Sequence, residues 1–273
     1  MEPYIPELDF VYPAKPDEHM EAIIKTHEVK VDENYPFLDK SFKFNFVRRL
    51  LYLVIFLLVF ILSTTRFGLK VEGRKNLRKN KKLLKNGAMT VSNHIHRWDY
   101  LFILQAVRYR MMYFPALQDH LGSSDEGVVR LAGGIPIPKS IHLMKNFYQA
   151  ITEIHAQKNW IHAYPETALF PYFQPIRPFK KGVFTLAYQH KLPVVPLAFS
   201  YRNPLFPFTL INKMRSFLGR KKLPMITLRI GKPLMFDYSL SRREAVIKLR
   251  KECHDAVVRL AGIYNNPFLA EGD

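Results

Sequence analysis

Residues 88–108 read AMTVSNHIHRWDYLFILQAVR, and this stretch decides the fold class. Its beginning, Ala88–Ser92, is short and apolar, which predicts a buried strand. Its end, Asp99–Arg108, spaces apolar side chains as one face of a helix requires. The polar segment 93–98 joins the two. In α/β proteins the carboxyl end of a strand is a usual place for reactive side chains, so a candidate site is expected here.

Strands and helices alternate along the rest of the chain. Apolar and β-branched runs predict strands at Leu69–Gly73, Met111–Phe114, Ile135–Ile137, Trp160–Tyr164, Pro193–Tyr201 and Pro224–Ile230. Apolar periodicity predicts helices from Ser140 to Ala156, from Gly182 to His190, and from a capping box at Ser241–Glu244 onward. The alternation predicts an α/β fold with a mixed, largely parallel sheet flanked by helices.

The composition narrows the class of protein. The 273 residues are 48% apolar and 23% charged, which is ordinary globular composition and excludes wholesale disorder. The single cysteine, Cys253, excludes an intrachain disulfide and a cysteine-based zinc cluster. A reducing compartment is therefore expected.

The net charge of +18 is unevenly distributed. Residues 1–40 hold ten acids and four bases, whereas residues 41–90 hold twelve Lys and Arg and one acid, Glu72. This basic block predicts an anionic partner, either nucleic acid or an anionic membrane surface. A solvated surface without a partner is the plain alternative.

An apolar run inside the basic block favours the membrane. Leu50–Leu62 is apolar throughout, with Arg48 and Arg49 before it and basic residues after it. A full span needs about 20 apolar residues, so we expect a hydrophobic membrane-anchoring helix at 45–68 that lies in the interface. A short tilted span and a buried helix are the alternatives.

His94 and Asp99 form a candidate catalytic pair. They are five residues apart, which is too far round a straight helix to share a face. If the helix begins only at Trp98 or Asp99, His94 lies on the preceding turn and reaches back to the carboxylate. Such a pair suits general-base catalysis, because the carboxylate fixes the imidazole tautomer and stabilises the imidazolium. Asn93 is predicted to brace the turn by an Asx-type hydrogen bond.

Other chemistries have less support. His94 and His96 have the spacing of a metal-binding pair, but the remaining histidines are single and scattered. The chain has no G-x-S-x-G nucleophile motif and no phosphate-binding G-x-x-x-x-G-K-[ST] loop. No metal or bound cofactor is therefore expected. Nucleic acid is disfavoured, because no recognised nucleic-acid motif accompanies the charge.

Four blocks follow one another along the chain: Asn93–Asp99, Gly133–Lys139, Tyr164–Thr167 and Leu192–Leu197. They are similar, in that order, to the patterns N-H-x4-D, G-x-x-F-I-x-R, F-P-E-G-T-R and V-P-V-V-P-V. Together they resemble the glycerolipid acyltransferase family, the 1-acyl-sn-glycerol-3-phosphate acyltransferases and their lysophospholipid relatives. The resemblance covers roughly residues 70–235 and depends on the order of the blocks.

The resemblance implies an acyltransferase domain at 69–273, preceded by an acidic arm at 1–44 and the membrane helix at 45–68. It implies transfer of a fatty acyl group from an acyl thioester to the hydroxyl of a lysophosphatidate-like acceptor in phospholipid biosynthesis. Acyl-carrier protein and coenzyme A are both open as the donor's carrier. The resemblance makes His94 the general base and Asp99 its partner. It assigns substrate binding to Asn93, Gly134, Lys139, Glu166, Thr167, Arg177 and Lys180. A backbone N–H near the helix start or the Gly133–Gly134 turn would hold the oxyanion.

Departures from the family patterns bear on the acceptor. Lys139 stands where Arg is usual, and Thr167-Ala168-Leu169 replaces the Gly-Thr-Arg of the third block. The missing arginine belongs to the family's acceptor-phosphate site, so Arg177, Lys180 and Lys181 are expected to take over. An exposed basic loop is the alternative, and another lysolipid or alcohol acceptor stays open.

Residues 203–225 form a second candidate membrane contact, because aromatic and aliphatic residues alternate there with Lys and Arg. The alternative is an ordinary connecting segment whose aromatic side chains are buried. The protein is expected at the cytoplasmic face of the cell membrane. Its expected partners are an anionic membrane surface, an acyl donor and a lysophospholipid acceptor, but not nucleic acid. A non-enzymatic basic α/β protein that binds a membrane or nucleic acid is the alternative from another class.

Overall fold

The computed structural model describes residues 10–20, 25–108, 110–124 and 126–268. Parts of the predicted acidic arm, at 1–9 and 21–24, lie outside the described residues. The same holds for residues 269–273 of the predicted acyltransferase domain.

A single sheet organises the described residues. Its strands are Lys70–Glu72 (β1), Met89–Val91 (β2), Met112–Leu117 (β3), Gly134–Ile137 (β4), Trp160–Ala163 (β5), Val194–Arg202 (β6) and Met225–Ile230 (β7). They lie in the order β1-β7-β6-β2-β5-β3-β4. Neighbours are parallel except β6 and β7, which are antiparallel. The predicted mixed, largely parallel sheet is confirmed.

Helices connect and cover the strands. They are Phe42–Thr65 (α1), Arg74–Lys79 (α2), Asp99–Ala106 (α3), Glu126–Ala132 (α4), Met144–Ala156 (α5), Gly182–Gln189 (α6), Phe208–Phe217 (α7) and Arg242–Ala261 (α8). Short 3-10 turns lie at Leu83–Asn86, Gln118–His120 and Ile141–Leu143. The predicted capping box of α8 is present, with Ser241 and Glu244 bonded to each other's backbone N–H.

The helix predicted to begin after Ser140 starts later than expected. The chain first makes the 3-10 turn at 141–143, and the Ser140 side chain makes no cap hydrogen bond. The sequence analysis did not specify α2, α4 or α7. Two of these have only six or seven residues, too few to show a helical period.

The strand directions create one functional edge. Because β2, β3, β4, β5 and β6 are parallel, the segments that follow them meet at one side of the sheet, called here the carboxyl edge. β7 runs the other way and β1 is parallel to β7, so both begin at this edge. The links α1–β1 and β6–β7 therefore lie at the same edge as the segment that follows β2.

Each face of the sheet carries its own apolar cluster. One contains side chains of α5, α6 and α8, such as Ile151, Phe184 and Leu249. The other contains side chains of α1 and α3, such as Tyr52 and Phe102. The sheet is thus covered by a helical layer on each side.

Helix α1 is part of the body of the protein along its whole length. Arg48 is buried near its start and donates to the carbonyls of Leu131 and Met112, at 3.2 and 2.9 Å. Val59 and Ser63 are buried near its end. The opposite face remains apolar and exposed, and its residues include Phe46, Leu50, Leu53, Leu57 and Ile61.

The N-terminal arm packs on the α/β body where it is described. The Tyr12 hydroxyl donates to the Pro171 carbonyl at 2.7 Å. Phe37 is buried in the cluster that contains α5, α6 and α8. Lys40 pairs with Glu153 of α5 at 2.8 Å. The arm therefore contacts the protein on more than one side of the sheet.

Candidate active site

His94 and Asp99 meet where β2 gives way to α3. Helix α3 begins at Asp99, so His94 lies on the preceding loop. Its Nδ1 is 3.1 Å from Asp99 Oδ2. Because a carboxylate only accepts, Nδ1 carries the proton and Nε2 is left as a base. The His94 side chain is 20% exposed and that of Asp99 is 0% exposed, so a substrate reaches the imidazole and not the carboxylate.

One carboxylate oxygen organises the loop. Asp99 Oδ2 also accepts the backbone N–H groups of Ile95 and His96, at 2.8 and 3.0 Å. The N–H of His94 donates to Glu166 Oε2 at 2.9 Å. These three consecutive N–H groups are occupied, so they are not the oxyanion donors expected near the helix start.

Asn93 ties the loop to the neighbouring strand. Its amide exchanges two hydrogen bonds with the backbone of Phe199 on β6, at 2.8 and 3.1 Å. These bonds take the place of the predicted Asx-type bond within the turn. Asn93 is buried, so it positions the loop from behind and does not face a substrate.

Glu166 and Arg177 form a buried ion pair next to the loop. Arg177 Nη2 lies 2.9 Å from Glu166 Oε2, and both side chains are 1% exposed. The guanidinium also stacks over Phe170 at 3.9 Å and donates to the Pro16 carbonyl of the arm at 2.8 Å. The sequence predicts Arg177 as an acceptor-phosphate ligand. The structure does not support that role, because the guanidinium is enclosed and already occupied. Its contacts hold Glu166, and through it His94, in place.

Tyr164 covers one face of the imidazole. Its ring stacks on His94 with the centroids 3.8 Å apart and the planes at 13°. His162 lies edge-on to Tyr164, at 4.5 Å. Burial raises the pKa of the Tyr164 hydroxyl well above its usual value, so the phenol stays neutral. The stacking fixes the plane in which His94 presents Nε2.

The buried His162 predicts a pH-dependent stability. Its Nδ1 lies 2.9 Å from Thr90 Oγ1, and burial, aided by the charge of His94, lowers its pKa from 6.5 to about 3. Between these values the unfolded chain binds the proton and the folded chain does not. The free energy of unfolding therefore falls as the pH drops below 6.5, by up to about 1.4 kcal/mol per pH unit.

We expect His162→Gln to flatten this dependence, because the amide keeps a hydrogen bond to Thr90 and does not titrate. The check is the Tm of both proteins in detergent between pH 7.5 and 5. Equal slopes for the variant and the unaltered protein would remove His162 as the source.

The His96 side chain lies among aromatic rings. Its Nδ1 accepts the Trp98 N–H at 3.1 Å, and its ring packs edge-on to Phe67 at 5.1 Å and to Tyr172 at 5.8 Å. Burial lowers the pKa of His96, an effect that the Asp99 carboxylate opposes. Within the described ranges, no three His, Cys, Asp or Glu side chains come together as a metal-ion site.

Gly134 and Lys139 are set apart from the pair. Gly134 lies on β4, three strands from β2, which is about 14 Å at the usual strand spacing. The Gly133–Gly134 turn is therefore not placed to hold an oxyanion at His94. Gly134 instead allows close packing, because a Cβ there would lie 2.5 Å from Val129 Cγ1. Lys139 follows β4 and pairs with Asp119 at 2.7 Å.

Lys180 and Thr167 lie nearer to the pair. The Lys180 N–H donates to the Pro165 carbonyl at 2.8 Å, next to Glu166. The half-exposed Nζ of Lys180 pairs with Asp17 of the arm at 2.9 Å. Thr167 is exposed and has φ 67°, the left-handed conformation that suits the glycine of the family pattern.

Three tyrosine and histidine contributions were not identified from the sequence. They are the stacking of Tyr164 on His94, the position of His162 beside it, and the Tyr201 hydroxyl, which donates to the Ile95 carbonyl at 3.2 Å. All three lie at the ends of β5 and β6. The sequence held one signal for the role of Tyr164: it opens the third block, at the position where the family pattern has phenylalanine.

Comparisons with known proteins concern the segment that carries this site. The family model described as Acyltransferase matches residues 68–200. A crystal structure of the 1-acyl-sn-glycerophosphate (LPA) acyltransferase PlsC from Thermotoga maritima is similar to this fold, with a TM-score of 0.54 and 20% identity. That match covers 84% of this chain and 85% of the other. No protein of curated function matches the chain with significance. The matched segment holds the His94–Asp99 pair, and this part of the chain is similar to the Acyltransferase family.

Proposed function

We propose that the protein transfers a fatty acyl group from an acyl thioester to the hydroxyl of a lysophosphatidate-like glycerolipid, as a step of phospholipid biosynthesis. The observation that carries the proposal is the 3.1 Å contact between His94 Nδ1 and the buried Asp99, with the other imidazole nitrogen available to substrate. The donor is acyl-carrier protein or coenzyme A. The acceptor of the structurally similar Thermotoga maritima acyltransferase, 1-acyl-sn-glycerophosphate, supports this acceptor class.

The residues account for each proton. The acceptor oxygen attacks the thioester carbonyl carbon, and its proton passes to His94 Nε2. Asp99 stabilises the resulting imidazolium through Nδ1–H. The C–S bond then breaks, and the imidazolium returns the proton to the leaving thiolate. The products are the acylated acceptor and the free thiol, with no covalent acyl-enzyme.

The acceptor phosphate is proposed to bind Lys180. The Lys180 backbone is hydrogen-bonded to Pro165, and the adjacent Glu166 accepts the His94 N–H. The Lys180 side chain therefore begins next to the catalytic loop. Lys139 follows β4, three strands from β2, and is less well placed for the acceptor. A carboxylate, Asp17, now pairs with Lys180 where a phosphate would bind.

We expect Lys180→Gln to raise the KM for a phosphate-bearing acceptor by about tenfold while kcat changes little, since a charge-assisted contact is lost. Asp17→Asn should lower the same KM, because it frees the ammonium group. Steady-state rates with an acceptor that lacks the phosphate are the control. An equal effect of Lys180→Gln on both acceptors would contradict the assignment.

The proposed function is tested by acyl transfer with purified protein. The acceptors are lysophosphatidate, a zwitterionic lysophospholipid, glycerol 3-phosphate and a simple alcohol, each with acyl-carrier protein and coenzyme A thioesters. We expect the highest kcat/KM with lysophosphatidate. A preference for another acceptor would keep the acyl-transfer chemistry and change the substrate, and the absence of transfer to every acceptor would refute both.

We propose that the protein is monotopic on the cytoplasmic face of the membrane. Helix α1 is long and apolar enough to cross a bilayer by length and composition alone. However, Arg48, Tyr52, Val59 and Ser63 pack on the body from one end of the helix to the other. A crossing helix would carry this body into the hydrocarbon, so the apolar outer face of α1 is better buried in the interface.

We expect Leu53→Glu together with Leu57→Glu to weaken vesicle binding at least about tenfold. Both side chains are on the outer face, and burying one leucine contributes about 1.5–3 kcal/mol. Flotation with vesicles at high salt measures the change. Ile141→Glu, at an exposed position outside α1, is the control. Unaltered flotation of the double variant would show that α1 is not the main anchor.

A further inference from the structure

Helix α7 has almost no side chain in the core. Only Asn212 is buried, and its amide exchanges hydrogen bonds with the Leu223 backbone at 2.9 and 3.0 Å. These bonds fold the segment 218–224 back beside the helix. The helix and its return segment therefore form one projecting unit, called here the α7 hairpin, residues 203–224.

The outer surface of the α7 hairpin is apolar and aromatic. Phe206 is 82% exposed and Phe217 is 91% exposed. Leu205, Leu210, Ile211, Met214 and Leu218 are also exposed. Contiguous apolar exposure of this kind is uncommon on a soluble surface and marks an interaction site.

The charges on the α7 hairpin have one sign. Residues 203–224 contain five basic residues and no Asp or Glu. The bases are Lys213, Arg215, Arg220, Lys221 and Lys222. Bulky apolar side chains combined with cations fit the headgroup layer of an anionic bilayer, where rings enter the acyl boundary and cations meet phosphates.

The α7 hairpin adjoins the end of α1. A Cβ built on Gly68, three residues beyond α1, would lie 3.1 Å from Phe208 Cζ and 2.4 Å from the tip of Met225. The α7 hairpin therefore adjoins the link that follows α1, a helix whose outer face is also apolar and exposed.

The link after α1 and the start of the α7 hairpin also border the catalytic loop. Phe67, at the end of α1, packs on His96 at 5.1 Å. Tyr201, at the end of β6 and just before the α7 hairpin, donates to the Ile95 carbonyl at 3.2 Å. Both contacts lie at the carboxyl edge, next to the segment that carries His94.

We propose that the α7 hairpin is a second membrane-binding element, which inserts its aromatic side chains into an anionic bilayer and holds the carboxyl edge against the lipid surface. It rests on the proposed function only for the choice of a lipid surface as the partner. An acidic carrier protein is the rival occupant. The two highly exposed phenylalanines and the position of the hairpin next to the end of α1 favour the bilayer.

A nitroxide label on Leu218→Cys in the full chain tests the proposal without reference to activity. The native Cys253 is fully buried, and burial raises the pKa of its thiol, so labelling is directed to the new cysteine. The protein is bound to vesicles of phosphatidylcholine with 30% phosphatidylglycerol. Collision of the label with oxygen, which enriches in lipid, is compared with collision with a water-soluble nickel chelate.

We expect the label at 218 to collide more with oxygen, and a label on Tyr264→Cys to collide more with the chelate. Tyr264 is 86% exposed and follows α8 in the helical layer on the other side of the sheet. Phe217→Asp with Lys213→Glu should return the 218 label to water and weaken vesicle binding at least about fivefold. The matched pair Tyr264→Asp with Lys251→Glu, an exposed lysine of α8, should do neither.

Equal water exposure of both labels on vesicles would overturn the proposal. Protection of the 218 label by acyl-carrier protein, and not by vesicles, would overturn it in favour of the carrier. A lipid-exposed label in a protein without acyl transfer would refute the proposed function and leave the membrane contact standing.

Discussion

Replacing His94 by Ala should lower acyl transfer by about 10²–10⁴-fold at every pH, the range that a positioned general base contributes. The loop itself should survive, because Asp99 Oδ2 retains the two backbone donors from Ile95 and His96. Steady-state rates, with Tm as the measure of folding, check this result.

Two companion variants separate the base from its surroundings. Asp99→Asn should lose most of the rate, since an amide cannot stabilise the imidazolium as a carboxylate does. His96→Ala should have a much smaller effect, because its ring packs on Phe67 and faces away from the proton path. If His96→Ala were as inactive as His94→Ala and a chelator silenced the unaltered protein, a metal site would replace the general base.

Arg177→Ala should destabilise the fold by about 3–5 kcal/mol, the usual loss when one partner of a buried ion pair is removed. The Glu166 carboxylate would remain buried without its counter-charge. Because Glu166 also accepts the His94 N–H, kcat should fall as well. Thermal unfolding in detergent and steady-state rates measure the two effects.

The control is to remove both charges. The double variant Arg177→Met with Glu166→Gln should recover much of the lost stability, since no unpaired charge is left. Lys181→Ala, at an exposed neighbouring position, should change stability by no more than about 0.5 kcal/mol. A stable Arg177→Ala with a raised acceptor KM would restore the phosphate role that the sequence suggested.

The strands of the sheet were predictable because their sequences are short, apolar and bounded. Ala88–Ser92 and Pro193–Tyr201 differ from the observed β2 and β6 by only a residue at each end. Their order in the sheet was not predictable, since β1 pairs with β7 across most of the chain. The antiparallel β7 is the feature that brings the start of β1, and so the end of α1, to the catalytic side.

The catalytic pair was predictable because its geometry is local. His94 and Asp99 are close in sequence, and a late helix start is enough to join them. The roles of Arg177 and Asn93 were not, because nothing in the sequence shows that Arg177 turns inward to Glu166 or that Asn93 bonds to Phe199 of β6. A basic residue near a motif looks the same in sequence whether it faces solvent or a buried carboxylate.

The buried arginine of α1 has a consequence for the order of events during synthesis. The carbonyls that receive Arg48 belong to Met112 and Leu131, which are translated 64 and 83 residues later. At about 5–20 residues per second, the ribosome supplies them some seconds after α1 itself. A nascent α1 thus has an apolar outer face ready for lipid and an inner face without its acceptors. If α1 lies in the membrane interface as proposed, this interval gives the helix time to reach the bilayer before the sheet closes, and the rest of the chain would then fold against a helix already held there.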